Sequence, residues 1–520
     1  MIASPVLAPW PWARLALLLV ATGLRAQQQP AAPVPKPGTD APIPLDEVAE
    51  RSGLPMRRLS IEDALRIGRH NNVELRTAEL LPEEADADRI GAEAIFDPEL
   101  YGNVGYAQAK APQRNLFQPA NDTTTADATI GWRQRVVTGG LFDLAYRPTR
   151  FTAVSPSGAF PDRQYGSEWS VSYTQPLLRG GWTDYSLAPV RSARYRVSGA
   201  RADFERTVQD TLLHIVQAYW ELVFARDNYR VVTAALGVAR EQLRITEERI
   251  RVRELAARDR VADEAEVARR QEDLIVAEND IRRREDDLRR LLFDDQQGEL
   301  WRQNLLPTSE MQVAPRPEEL PWQEYVTQAI EDRPDLHSLR SLVGAAQEDL
   351  LRAQRDLLPG LDLVGTYSSD GVDGSFGPAF SDSARQDFPD WGLRLQFTVP
   401  IGNQAAQSRK LHAELELERR QRGLYGAMMD VAKDVRDAVR NLQALAQSIL
   451  ASGESVRLAV TNLETEQVKL RVGASTAFEV QRRNQELQQA RSRHLRNQLD
   501  YRVAQSRLLH VRGLLKVPTE

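Results

Sequence analysis

Apolar residues recur every three to four positions over very long stretches of this chain. In a few shorter stretches they alternate one by one with polar residues. Leu212, Ile215, Val216, Tyr219, Leu222 and Val223 show the first pattern, which is that of a helix burying one face. The stretch from Leu187 to Arg253 is rich in Ala, Leu, Glu, Gln and Arg and has almost no Pro after its first turn. Its 67 residues would extend roughly 100 Å as one helix at 1.5 Å per residue. A helix of that length needs a partner along its side. A break near Arg253–Ala257 precedes a shorter helical stretch ending near Phe293. A second long stretch begins near Gln404, breaks at Gly473–Thr476 and ends near Leu515.

Between the helical stretches the pattern changes to period two. In Trp391 to Val399, Trp391, Leu393, Leu395, Phe397 and Val399 share one face, and Gly392, Arg394, Gln396 and Thr398 the other. Trp169 to Thr174 alternates in the same way, while Leu361–Ser368 and Leu100–Ala107 do so more loosely. Such alternation suits any half-buried sheet. It also suits a barrel strand, which crosses a bilayer in about 9 to 11 tilted residues. Two further stretches, Thr129–Val136 and Leu141–Tyr146, flank Thr138-Gly139-Gly140. They fit an external hairpin or two extra barrel strands; the external hairpin is the expectation.

The chain also repeats itself. A shift of 261 carries Asn71-Asn72-Val73-Glu74-Leu75 onto Asp332-Arg333-Pro334-Asp335-Leu336, and Pro98 onto Pro359. A shift of 220 carries Asp259, Val267 and Leu288 onto Glu479, Leu487 and Leu508. The blocks keep their order, which points to an internal duplication with a longer middle in the first copy. Expected boundaries are a first repeat at 59–300, an inter-repeat linker at 301–320 and a second repeat at 321–516. Each repeat begins with a helical stretch, about Ile61–Ile95 or Trp322–Leu358.

The N-terminus changes the picture. Arg14, the apolar run Leu15–Leu24 and Ala26 read as a secretory signal peptide over residues 1–26. Residues 27–58, with prolines clustered between Pro30 and Pro44, read as an extended linker. Export makes a lipid-facing reading of the alternating segments attractive. Four strands are too few to close a barrel within one chain, and open sheet edges are not tolerated in lipid. Three copies of four strands give a shared barrel of about 12. Arg394 must then point to the lumen.

Among its 520 residues the chain has 67 basic and 73 acidic side chains and no cysteine, with a mean hydropathy of −0.46. The balance gives no concentrated basic surface for nucleic acid. The missing cysteines exclude disulfides, thiolate metal sites and a cysteine nucleophile. The six histidines are scattered, so no metal is expected. No phosphate loop or hydrolase elbow appears. No cofactor is expected and the chain does not read as an enzyme. An exported structural coiled coil or tether is the other reading to weigh.

Leu59-Ser60-Ile61-Glu62-Asp63-Ala64-Leu65 followed by Asn71–Leu75 resembles the opening helix of the TolC family of outer-membrane efflux proteins. Thr174-Gln175-Pro176-Leu177-Leu178-Arg179-Gly180 is similar to that family's first segment after the barrel. Glu254-Leu255-Ala256 and Arg471-Val472-Gly473 resemble its two periplasmic helical turns. The likeness runs from about Leu59 to Leu515. It implies a mainly α fold with membrane β: a homotrimer with a barrel in outer-membrane lipid and antiparallel coiled-coil helices forming a periplasmic tunnel. A periplasmic adaptor and an inner-membrane pump are the implied partners, in efflux or type I secretion. Asp259 and Glu479 fall where the family lines its pore constriction, although an acid there is also an ordinary partner of a helix N-terminus. Leu255, Ala256, Gly473, Ala474 and Ser475 are the expected adaptor-docking turns, with residue types that any tight turn prefers. Arg253 stands where the first turn often has Gly, Arg482 where a second acid sometimes occurs, and Ser475 where some members carry a basic residue.

Overall fold

The computed structural model describes residues 47–49, 55–110, 122–154, 163–292, 304–309, 311, 313, 315 and 320–517. The expected signal peptide and the tract Pro30–Pro44 lie outside the described residues. In chain order, β1 (Glu47–Ala49) and β2 (Pro55–Leu59) precede α1 (Ile61–Asn71), α2 (Val73–Ala78) and α3 (Leu80–Glu93). Then come β3 (Glu99–Lys110), β4 (Asp122–Arg135), β5 (Leu141–Val154) and β6 (Arg163–Pro176). The short α4 (Trp182–Ser186), the long α5 (Ala188–Arg251), α6 (Asp259–Leu292) and β7 (Asn304–Pro307) follow. The second half runs α7 (Trp322–Asp332), α8 (Pro334–Arg355), β8 (Gly360–Asp373), α9 (Phe376–Arg385), β9 (Pro389–Thr398), α10 (Gln404–Arg471) and α11 (Ala477–Val511).

The rods are as long as the periodicity requires: α5 has 64 residues and α10 has 68. α6 doubles back along α5, and α11 along α10, while α3 and α8 pack on the remaining length. Each short helix thus covers part of a long one. The seam on α5 is buried, with Leu212, Ile215, Tyr219 and Leu222 at 1 % exposure or less. On α10, Val431, Val435, Val439, Leu442, Ala446 and Ile449 meet Tyr501, Ala504 and Leu508 of α11. These steps of three and four are the spacing of a coiled-coil seam. Outward faces carry ion pairs within one helix, such as Arg244–Glu241, Arg419–Glu416 and Arg457–Glu454. A few pairs are buried instead, notably Arg226 and Arg289 on Glu285.

Both long helices end in the same way. The amide of Glu254 donates to the carbonyl of Arg249 at 2.8 Å, and that of Ala474 to Lys469 at 2.8 Å. Between them sits a left-handed residue, Arg253 at φ 65° and Gly473 at φ 76°. Glycine takes that conformation freely, whereas a side chain costs about 1 kcal/mol.

The opening helices are interrupted where a continuous stretch was expected. Asn72 is extended at ψ 124° and its side-chain oxygen accepts from the amide of Leu75 at 3.0 Å. At the matching position Arg333 is extended at ψ 125°, as a residue before Pro334 must be. Each side chain then reaches the end of its own half's last helix. Asn72 Nδ2 donates to the carbonyl of Leu291 at 2.8 Å, and Arg333 Nη1 to that of Val511 at 3.4 Å. Arg333 also holds Asp335 in a two-pronged pair at 2.6 and 3.0 Å.

A small sheet closes over this region, with β2 between antiparallel β1 and parallel β7. Its strands fall within the two stretches expected to be linkers, 27–58 and 301–320, so both linkers are shorter than expected. Burial accounts for the strands, since Leu59 and Leu305 are each 1 % exposed. Tyr219 donates its hydroxyl to the carbonyl of Leu59 at 3.0 Å and accepts from the amide of Ser309 at 3.1 Å.

The large sheet has six strands in the order β3-β4-β5-β6-β8-β9, every neighbour antiparallel. The four strands read from alternation are all present. The Thr129–Tyr146 hairpin, expected outside the sheet, is part of its second and third strands. Twelve rungs on each side join these strands to their neighbours, from Glu99↔Arg133 to Lys110↔Asp122 and from Leu141↔Thr174 to Thr152↔Arg163. Full-length pairing satisfies backbone groups that an external hairpin would leave to solvent. A count of four strands per chain therefore becomes six.

Two measurements test the junction. Asn72→Ala removes a cap and leaves the Leu291 carbonyl short of a donor, so thermal or denaturant unfolding should show a loss of about 1–2 kcal/mol. Burial raises the Asp335 carboxyl, but the hydrogen bonds and charge of Arg333, with the charge of Arg206 and the amide of Leu336, together outweigh it and hold the group below the usual carboxylate range. A lowered folded value contributes stability above the unfolded value, near 4, and loses it as pH falls through the folded one. Asp335→Asn should therefore lower Tm most at neutral pH, and the gap should close in acid.

Candidate functional site

The sheet is two-faced across all six strands. Reading one row of partners, Leu100, Trp132, Leu144, Val171, Tyr367 and Trp391 share a side. Ile130, Phe142, Tyr146, Trp169, Tyr173, Leu393, Leu395 and Phe397 lie on the same side by parity along their strands. The opposite face carries Glu99, Asn103, Arg133, Asp143, Arg147, Glu168, Ser170, Ser172, Thr366 and Gln396 by the same parity. Arg394 is on this polar face, opposite Val364. Ion pairs Arg133–Glu99 and Arg147–Glu168 and the hydrogen bond from Tyr101 to Asp143 at 2.9 Å tie its strands together.

The apolar face is uncovered along most of its length. On the two end strands Val104 is 88 % exposed and Trp391 76 %. α9 lies over one end of it: Ser383 and Ser167 hydroxyls are 2.7 Å apart, and Phe380 stands edge-on to Tyr146. The alternation in the sequence did not foretell this helix. Phe376 and Phe380 remain half-exposed. β3 and β9 have a strand neighbour on one side only among the described residues. No helix among the described residues is long and apolar enough to cross a membrane, a statement that does not bear on strands.

At the far ends of the rods, the turns present Ala256, Gly473 and Ala474 exposed, with Leu255 and Ser475 half-buried. Around them Val252, Val261, Val472 and Phe478 are all more than half exposed. Asp259 opens α6 and accepts from the amide of Ala256 at 3.2 Å. Glu479 lies in the first turn of α11, where its amide donates to the Thr476 side chain and its carboxylate pairs with Arg482 at 3.1 Å. Both acids are thus engaged by their own helix starts. Arg482, noted as a departure from the family pattern, is the partner of Glu479.

A buried polar network behind the turns escaped the sequence reading. Asp263 is 4 % exposed. It accepts from Thr246 of α5 at 2.6 Å and from Gln481 of α11 at 2.6 Å. Two turns on, Arg270 is 5 % exposed; it donates to Glu266 at 2.8 Å and to Gln488 of α11 at 2.6 Å. The two hairpins are therefore joined near their tips by hydrogen bonds. The available signal was positional: Asp263, Glu266 and Arg270 occupy seam spacing on α6 where other rods carry Leu or Val.

Comparison with known proteins agrees with this geometry. Residues 325–514 match the family model described as Outer membrane efflux protein. Outer membrane protein TolC of Vibrio cholerae is 23% identical over 318 residues, covering 60% of this chain and 68% of that one. Among solved structures, the Campylobacter jejuni CmeC outer membrane channel superposes with a TM-score of 0.62 at 14% identity, covering 88% of this chain and 86% of that one. The open state of the Neisseria gonorrhoeae MtrE outer membrane channel gives 0.61 at 16% identity, with coverage of 88% and 90%. At such identities the structural likeness establishes the fold alone. Family model, curated relative and fold point the same way: residues 325–514 resemble outer membrane efflux proteins, and the chain has the fold of outer-membrane channels such as CmeC and MtrE.

Proposed function

We propose that three copies of this chain form a passive export duct, the outer-membrane component of a tripartite efflux or type I secretion system. The observation that carries the proposal is the two-faced sheet, apolar on one side and charged on the other, with an open strand at each end. Lipid tolerates such a sheet only when its edges are paired, and pairing between copies encloses the polar face as a water-filled lumen. The long helix hairpins continue that lumen inward. An inner-membrane pump supplies the transport energy and a periplasmic adaptor seats on the turns. The exposed Val252, Val472 and Phe478 beside Ala256, Gly473 and Ala474 support an apolar contact there. Leu255 and Ser475 complete that docking surface.

Asp259 and Glu479, three of each per trimer, form the acidic constriction at the inner end. Rings of carboxylates favour cations. The Thr246–Asp263–Gln481 bonds act just behind them as a clamp holding the two hairpins together. Loosening the clamp lets the tips splay, while the barrel is untouched.

Planar-bilayer recordings test both parts. Wild-type trimers should conduct weakly and prefer cations, and replacing Asp259 and Glu479 together by Ala should reduce that preference. Asp263→Ala combined with Gln481→Ala should raise single-channel conductance several-fold without dissociating the trimer. A folded trimer that never conducts, with or without these changes, would refute the duct.

A further inference from the structure

We infer that the shared barrel has eighteen strands, six from each copy, and that the β4–β5 hairpin widens the outer mouth of the duct. The inference rests on the trimeric duct proposed above and concerns only its width.

Three observations carry it. First, β4 and β5 sit inside the sheet, between β3 and β6, and pair with their neighbours along their lengths. Removing them from the wall would strip the ladder from β3 on one side and β6 on the other. Second, the hairpin carries the same two faces as the rest of the wall. Ile130, Trp132, Phe142, Leu144 and Tyr146 continue the apolar band, and Arg133, Asp143 and Arg147 continue the polar one. An appendage in water has no use for such an apolar band, which a lipid-facing strand requires.

Third, the turn of the hairpin is wedged against the start of the helices. The Thr138 carbonyl accepts from the amide of Trp182 at 2.7 Å and from Gln175 Nε2 at 3.0 Å. The Thr138 hydroxyl donates to Gln175 Oε1 at 2.9 Å. Gly139, at φ 87°, lies so close to the Gly180 carbonyl that a Cβ would collide with it. The insertion is therefore seated at the junction of sheet and rods, level with the other strands.

The open edges are those of β3 and β9. The occupant of each is the other edge of a second copy: β9 of one subunit against β3 of the next. Both strands run in opposite directions in the sheet, because five antiparallel steps separate them. Edge-to-edge closure is therefore antiparallel, as in other barrels of even strand number. Three copies of six strands close at eighteen. Diameter grows roughly linearly with strand number, so the lumen is about 1.5 times as wide as one of twelve strands. A barrel of that size holds an aqueous channel without side chains filling it. The outlet then admits bulkier solutes than a twelve-stranded wall would.

The test uses the full-length trimer in planar bilayers, with polyethylene glycols of graded size added on the outer side. Deleting residues 122–154 leaves β3 and β6, which run antiparallel, to pair directly. The polymer radius that enters the mouth should then fall by about a third. An unchanged cut-off would overturn the wide wall. If the deleted chain fails to assemble, single cysteines in the otherwise cysteine-free protein decide. Thr149→Cys on the polar face should react with a water-soluble maleimide in intact trimers, and a bulky adduct should lower conductance. Leu144→Cys on the apolar face should resist that reagent in lipid and be reached by a lipid-soluble one. Ready labelling of Leu144→Cys from water, in trimers that conduct, would overturn the inference and leave the duct standing. Absence of any wild-type trimer or conductance would instead remove the duct, and this inference with it.

Discussion

A backbone amide or carbonyl in hydrocarbon has no water to bond to, and each one left unpaired costs several kcal/mol. The six-stranded sheet satisfies this everywhere except along β3 and β9. Those two strands also carry some of the most exposed apolar side chains of the molecule, Val104 and Trp391 among them. A single copy is therefore incomplete in two respects at the same edges. It lacks hydrogen-bond partners, and it lacks neighbours for its side chains. In the proposed trimer the remaining architecture brings such edges together.

The helices provide that positioning. Side-by-side packing along α5 and α10 makes each half stiff, but stiffness alone does not fix where strands leave the rods. The repeated junction does. Asn72 and Arg333 occupy matching positions, and each reaches the last turn of its half's closing helix. One uses a neutral amide and the other a guanidinium shared with Asp335, so the same geometric task is met with different chemistry. Beyond each junction the chain runs through α2 and α3, or through α8, before it enters β3 or β8. The small β1-β2-β7 sheet and the Tyr219 hydroxyl secure the crossing from one half to the other.

Much of this was readable from residues alone. Steps of three and four along α5 named its buried seam, and alternation named four strands with Arg394 on the correct side. The positive φ of Arg253 follows from its place opposite Gly473 in the repeat. Other features were not legible, for physical reasons. Thr129–Tyr146 alternates like any hairpin, and whether it joins a sheet depends on distant partners such as Glu99 and Thr174. β1, β2 and β7 are too short to show a period and exist because Leu59 and Leu305 are covered. Asp263 and Arg270 were read with the solvated charges of their helix. Only the three-dimensional seam reveals that they are enclosed and bonded to Gln481 and Gln488.

The charges on the rods carry a consequence for how the molecule meets different surroundings. Most pairs, such as Arg244–Glu241 and Arg422–Glu418, join residues three or four apart on the same helix. Dissolved salt screens contacts of that kind, yet losing them loosens no packing, because both members belong to one rod. The enclosed set around Glu285, held by Arg226 and Arg289, is shielded from that screening. The helical rods should consequently keep their shape from dilute buffer to brine.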